Sequence, residues 1–120
     1  MTVFDLIGNY TVEGKNQDEG GSAYVGTLKL VLNENDKIIA EWTVSNHKQF
    51  GTGFFKNNIL VINFYYEGED TKKYKGVVVY HFLTPKILDG FWSEKYGDQQ
   101  FLGEERCYKT DTVILPKNLN

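Results

Sequence analysis

Arginine is nearly absent from this 120-residue chain: Arg106 stands alone beside twelve lysines. With 13 basic residues against 16 acidic ones, a net charge of −3 and no basic run, the chain lacks the footprint of a phosphate-tracking protein. Nucleic acid is not an expected partner. Cysteine is equally scarce, and Cys107 alone can form no intrachain disulfide, so the core must hold the fold. Two histidines and one cysteine without pair spacing suggest no transition-metal site, and no metal or other cofactor is expected. The acidic loop residues Asp18, Glu19, Glu69 and Asp70 lack the ligand periodicity of a dedicated calcium loop. Long apolar runs are missing too. The aliphatic stretch from Ile59 to Ile62 is far too short to span a bilayer, and Met-Thr-Val-Phe-Asp lacks the basic start and apolar stretch of a signal peptide. A soluble, cytoplasmic domain is the expectation.

What the chain does have is aromatic surface and alternation. Eight Phe, eight Tyr and two Trp supply ample material for one core. Between residues 8 and 108 the apolar residues recur at every second position rather than with a helical period. The pattern predicts strands at 8–14, 22–32, 38–45, 48–56, 59–67, 74–83, 87–95 and 100–108. Short gaps rich in turn residues, such as Asn46-His47, Asn57-Asn58 and Thr84-Pro85-Lys86, separate them. Gaps this short join only antiparallel neighbours. Eight such strands make a meander, which best removes its edges by closing, so the predicted fold is all-β: an eight-stranded antiparallel up-and-down β-barrel over 1–110 with a tail at 111–120.

Even-numbered positions carry the larger apolar set in most strands, for example Leu28, Leu30 and Leu32, or Val78, Tyr80 and Phe82, and are taken as the interior. The fourth and eighth strands are ambiguous, because Gly51, Gly53, Gly103 and Cys107 are odd while Phe54, Leu102 and Tyr108 are even. An internal repeat at an offset of 50 supports two four-strand modules. Tyr24-x-Gly26 returns as Tyr74-x-Gly76, Trp42 as Trp92, and Gly53 as Gly103. Inward glycines leave bare backbone against which a neighbouring ring can lie.

The opening Phe4-Asp5-Leu6-Ile7-Gly8-Asn9-Tyr10 resembles that of the calycins, the superfamily of lipocalins, fatty-acid-binding proteins and avidins. Tyr10 stands where their first-strand Trp would be, after a short apolar turn that plugs one barrel end. The resemblance implies an arginine on the last strand packed across that ring, a role that falls to Arg106. Arg106-x-Tyr108 is similar to the pair that holds a ligand carboxylate in fatty-acid-binding proteins. The repeated Tyr-x-Gly and Leu88-x-Gly90-x-Trp92 also resemble small bacterial calycin-like domains. Lipocalin disulfides, a helical lid and the avidin ligand shell have no counterpart in this sequence.

If the even phase continues into the last strand, Glu94, Glu104, Arg106 and Tyr108 point inward together. Arg106, with Tyr10 or Tyr108, would then fix the acidic head of a small apolar ligand, or would pair with Glu94 or Glu104 and close the barrel floor. If the phase is odd, Glu105 faces inward and Arg106 lies outside. The even set would place ten large rings inside: Tyr10, Tyr24, Trp42, Phe54, Phe64, Tyr66, Tyr74, Tyr80, Phe82 and Trp92. That volume leaves room for a small or flat ligand, or for none. The candidate ligand-binding residues are Tyr10, Tyr24, Trp42, Tyr74, Tyr80, Trp92, Glu94, Arg106 and Tyr108.

No catalytic residues are expected. His47 falls in a polar hairpin and His81 at an outward position, and no motif surrounds Cys107. Val61, Tyr65, Val77, Val79 and Phe91 form an apolar exterior patch suited to the tail segment Val113-Ile114-Leu115 or to a second copy in a homodimer. The leading expectation is non-enzymatic binding of a small, largely apolar or aromatic ligand. A filled barrel making protein contacts through its patch is the alternative, and a small isomerase or hydrolase a further one.

Overall fold

Loop length decides which side chains reach the interior. Residues directly opposite in an antiparallel pair share a face, so a two-residue turn joins residues three apart and switches the inward set between even and odd numbers. The computed structural model describes residues 1–110. A 3-10 turn at Val3–Leu6 leads into β1 Gly8–Lys15, β2 Ala23–Leu32, β3 Ile38–Val44, β4 His47–Lys56, β5 Ile59–Glu67, β6 Lys73–Thr84, β7 Ile87–Glu94 and β8 Gly103–Lys109. The strands pair in chain order and β8 closes on β1, giving the eight-stranded antiparallel barrel that the alternation predicts. The predicted ends hold to within two residues, except that β8 starts at Gly103 rather than at 100. There Phe101 N–H donates to the Asp98 carbonyl at 3.1 Å and makes a turn instead. The tail 111–120, with Val113-Ile114-Leu115, lies outside the described residues.

Ser45 and Asn46 have φ of 52° and 66°, and Asn57 and Asn58 have 53° and 63°, the paired positive values of a hairpin turn whose twist matches its strands. Val44 therefore stands opposite His47, and Lys56 opposite Ile59. Strand β4 turns its odd residues inward and β5 returns to even ones. Phe54, placed inside by the even phase, is 66% exposed, and Phe55 packs inward edge-to-face on Phe82 instead.

The longer loop after β7 makes the same switch, with Trp92 opposite Gly103 and Leu88 opposite Cys107. In β8 the inward set is Gly103, Glu105 and Cys107, so Arg106 and Tyr108 stand on the outer face, against the even-phase expectation. The choice has a physical basis. The even phase would bury Glu104 and Arg106, whereas the odd phase buries one carboxylate that two tyrosines can satisfy. Arg106 bonds Asp89, its neighbour across β7, through Nε at 3.1 Å and Nη2 at 3.0 Å.

The closed end is built by the plug turn. Leu6 is buried, and the Tyr10 hydroxyl donates to its carbonyl at 2.7 Å. The cation over the Tyr10 ring is Lys109, with Nζ 6.0 Å from the ring centre and 2.8 Å from the Asp5 carbonyl, and not Arg106. Leu28, Leu30, Leu60, Ile62, Val78 and Leu88 are buried in the barrel core, each worth about 1.5–3 kcal/mol over its exposed state.

The repeat survives in three dimensions. A side chain on Gly26 would overlap the Thr43 carbonyl oxygen, and one on Gly76 would overlap that of Ser93, again 50 residues on. On the outside, Phe54, Val61, Val79 and Phe91 stand opposite one another in an unbroken row across β4 to β7. Phe91 is 49% exposed.

Candidate functional site

Two relays of the same design converge on one buried carboxylate. From one side Trp42 Nε1 donates to the Tyr80 hydroxyl at 3.1 Å, and Tyr80 donates to Glu105 Oε1. From the other Trp92 Nε1 donates to the Tyr24 hydroxyl at 2.9 Å, and Tyr24 donates to Glu105 Oε2 at 2.6 Å. The pseudo-repeat explains the pairing. Trp42 and Trp92 hold the same place on β3 and β7, opposite Leu28 and Val78, and each reaches across the barrel to a tyrosine of the other module.

The rings lie where they do because the facing residue has no side chain. Gly103 sits directly opposite Trp92 and Gly14 directly opposite Tyr24, and a methyl group on either would overlap the ring beside it. Phe64 stands edge-on to both indoles, with ring centres 6.1 Å from Trp42 and 6.2 Å from Trp92.

These groups border a cavity of about 480 Å³ at the barrel's open end, the end opposite the plug. Glu105 contributes to its floor, Tyr24, Trp42, Phe64, Val78 and Trp92 to its walls, and Tyr66, Gln49, His47 and Glu94 to the upper part. The volume lies in the range of small-molecule sites. The Tyr66 hydroxyl donates to Glu94, and its ring stacks on Tyr74 at 5.3 Å and 19°. Tyr74 in turn donates to Asp70 at 2.7 Å.

The rim is held by a residue that the alternation could not flag. Gln17, in the loop between β1 and β2, donates from Nε2 to Ser93 Oγ at 3.1 Å and to the Asp98 and Phe101 carbonyls at 3.0 Å each. Its Oε1 accepts from Glu94 N–H at 3.0 Å. One side chain therefore fixes the long loop between β7 and β8 beside the cavity mouth.

Burial raises the Glu105 carboxyl above the ordinary carboxylate value, while hydrogen bonds from Tyr24 and Tyr80 pull the other way. Burial also pushes the Tyr24 and Tyr80 hydroxyls upward, so both remain donors at neutral pH. Cys107, buried beside Glu105, has its thiol raised well above the usual value by burial, an environment that withholds the reactive thiolate. Among the described residues, no three His, Cys, Asp or Glu side chains are placed to hold a metal ion.

Of the nine candidate ligand residues, Tyr24, Trp42, Trp92 and Glu94 line the cavity. Tyr80 lies one hydrogen bond away through Glu105, and Tyr74 stacks against Tyr66. Three are placed elsewhere. Tyr10 belongs to the closed end, and Arg106 and Tyr108 to the outer face, because β8 carries its odd residues inward. The arginine–tyrosine pair implied by the fatty-acid-binding resemblance therefore does not meet the cavity.

No protein-family model matches the chain, and no curated protein sequence does. Several solved structures are similar to it, two of them as follows. A redesigned β-barrel aligns over 91% of this chain and 95% of its own, at 14% identity and a TM-score of 0.71. A protein of unknown function from the DUF3598 family of Nostoc punctiforme aligns over 92% of this chain but 49% of its own, at 11% identity and a TM-score of 0.58. At these identities the likeness carries the fold alone, a closed antiparallel β-barrel.

Proposed function

We propose that this calycin-like barrel is a non-enzymatic binding protein that takes up a small, largely apolar or aromatic ligand at its open end. The observation that carries this reading is the cavity of about 480 Å³ between the two tryptophans. Among the described residues, Tyr10, Tyr80, Phe55 and Phe82 fill the closed half of the barrel, and none fills the open half. A barrel of eight strands has room for one small ligand and no more. Binding is favoured over catalysis because Glu105 already accepts from two hydroxyls and Cys107 is sealed in the core.

The only two tryptophans of the chain both line the cavity, so intrinsic fluorescence reports on it selectively. The neutral dye phenylnaphthylamine is expected to bind saturably, one per chain, and to emit when the tryptophans are excited. Dye that gains no emission, or emits only when excited directly, would count against the proposal.

A further inference from the structure

We propose that the ligand of this cavity carries a positive charge: an aromatic or otherwise apolar amine or quaternary ammonium ion. The inference rests on reading the cavity as a ligand site and concerns the chemistry that the site recognises. Its charge is one-sided. Glu94 and Glu105 face the interior, Glu67 and Glu69 stand at the mouth, and among the described residues no lysine or arginine borders the cavity. Glu67 has Lys73 opposite it in register, so Glu94 and Glu105 carry the argument. Both accept hydrogen bonds from tyrosine hydroxyls, neutral donors that bring no positive charge to the site.

Glu105 is only 8% exposed, so burial favours its uncharged form, and a cation placed beside it would favour the carboxylate instead. The basic partner expected from the sequence, Arg106, is on the outer face bonded to Asp89. The positive charge this site lacks is one that a ligand can bring. The walls suit the same occupant, since Trp42, Trp92, Phe64, Tyr24 and Tyr66 offer apolar area and π electron density to an organic cation. An anionic ligand would meet acidic side chains and no cation to pair with among the described residues that border the cavity.

The test compares three ligands of one shape, phenethylammonium, phenethyl alcohol and phenylpropanoate, by isothermal titration calorimetry on the full chain. Expected is a preference for the cation over the alcohol of at least about tenfold, with the carboxylate weakest. In Glu94→Gln, which keeps an acceptor for Tyr66, the ratio of cation to alcohol affinity should narrow several-fold. Equal affinities, or a carboxylate that binds best, would overturn the charge assignment and leave the cavity reading standing. If none of the three binds while phenylnaphthylamine does, the charge assignment fails alone. If the dye is excluded as well, the cavity reading fails with it.

Discussion

Replacing Glu105 by alanine is expected to cost about 2–4 kcal/mol of stability in mild acid, because it strands two interior hydroxyls at once. Tyr80 is fully buried and Tyr24 half-buried, and each donates to one oxygen of this carboxyl. Neither hydroxyl has another acceptor among the hydrogen bonds of the described residues.

The cost should depend on pH in a definite direction. Burial raises the folded-state pKa of Glu105 above its unfolded value, so its contribution is complete below the unfolded value and is lost as pH rises through the folded one. The alanine penalty is therefore largest in acid and falls as pH rises. Urea denaturation at several pH values measures both the size and the slope. In a Tyr80→Phe background the same substitution should cost less, since only Tyr24 is then left without an acceptor. A penalty that is independent of pH and equal in the two backgrounds would remove Glu105 from the centre of the network.

Gly90→Ala is expected to destabilise the barrel by about 3 kcal/mol or more, through main chain rather than through a movable side chain. Gly90 stands opposite Tyr80, and a methyl group there would overlap the Val79 carbonyl oxygen and lie 3.0 Å from Tyr80 Cα. To admit it, β7 must separate from β6 or Tyr80 must tilt away from Glu105. Gly20→Ala is the control. It lies in the loop between β1 and β2, where a methyl would approach only Asp18 Oδ1, at 3.9 Å, and should change stability by less than about 0.5 kcal/mol. Equal effects at the two glycines would mean that strand spacing at Gly90 is looser than described.

Much of the architecture was legible because alternation by two and short turns constrain a meander strongly. The strand count, the closure and the repeat at 50 were all visible in the residues. Facing was the harder problem, and the alternation left it open in β4 and β8, where the inward set is odd. A two-residue turn switches parity whether it is read at Asn46-His47 or at Ser45-Asn46, so applying that rule to the gap would have turned β4 to its odd phase and placed Phe54 outside. The repeat then extends the correction. Gly53 inward implies Gly103 inward, and with it Glu105 inward and Arg106 outward.

The candidate site was thus half visible. Tyr24, Trp42, Trp92 and Glu94 follow from the even phase, whereas Glu105 follows only once the register of β8 is known. Gln17 was not accessible at all, because a loop glutamine earns its role from what folds around it, here the loop between β7 and β8.

The central claim is that the open end of this barrel holds a small, positively charged apolar ligand. Native mass spectrometry of the protein purified from the cells that make it, beside the same sample denatured, tests that claim most directly. The expected spectrum shows one adduct per chain, on the order of 100–300 Da given the cavity volume, that disappears on denaturation and is a basic nitrogen compound when released. A chain at its bare mass in both spectra, or an adduct that proves to be an acid, would contradict the account.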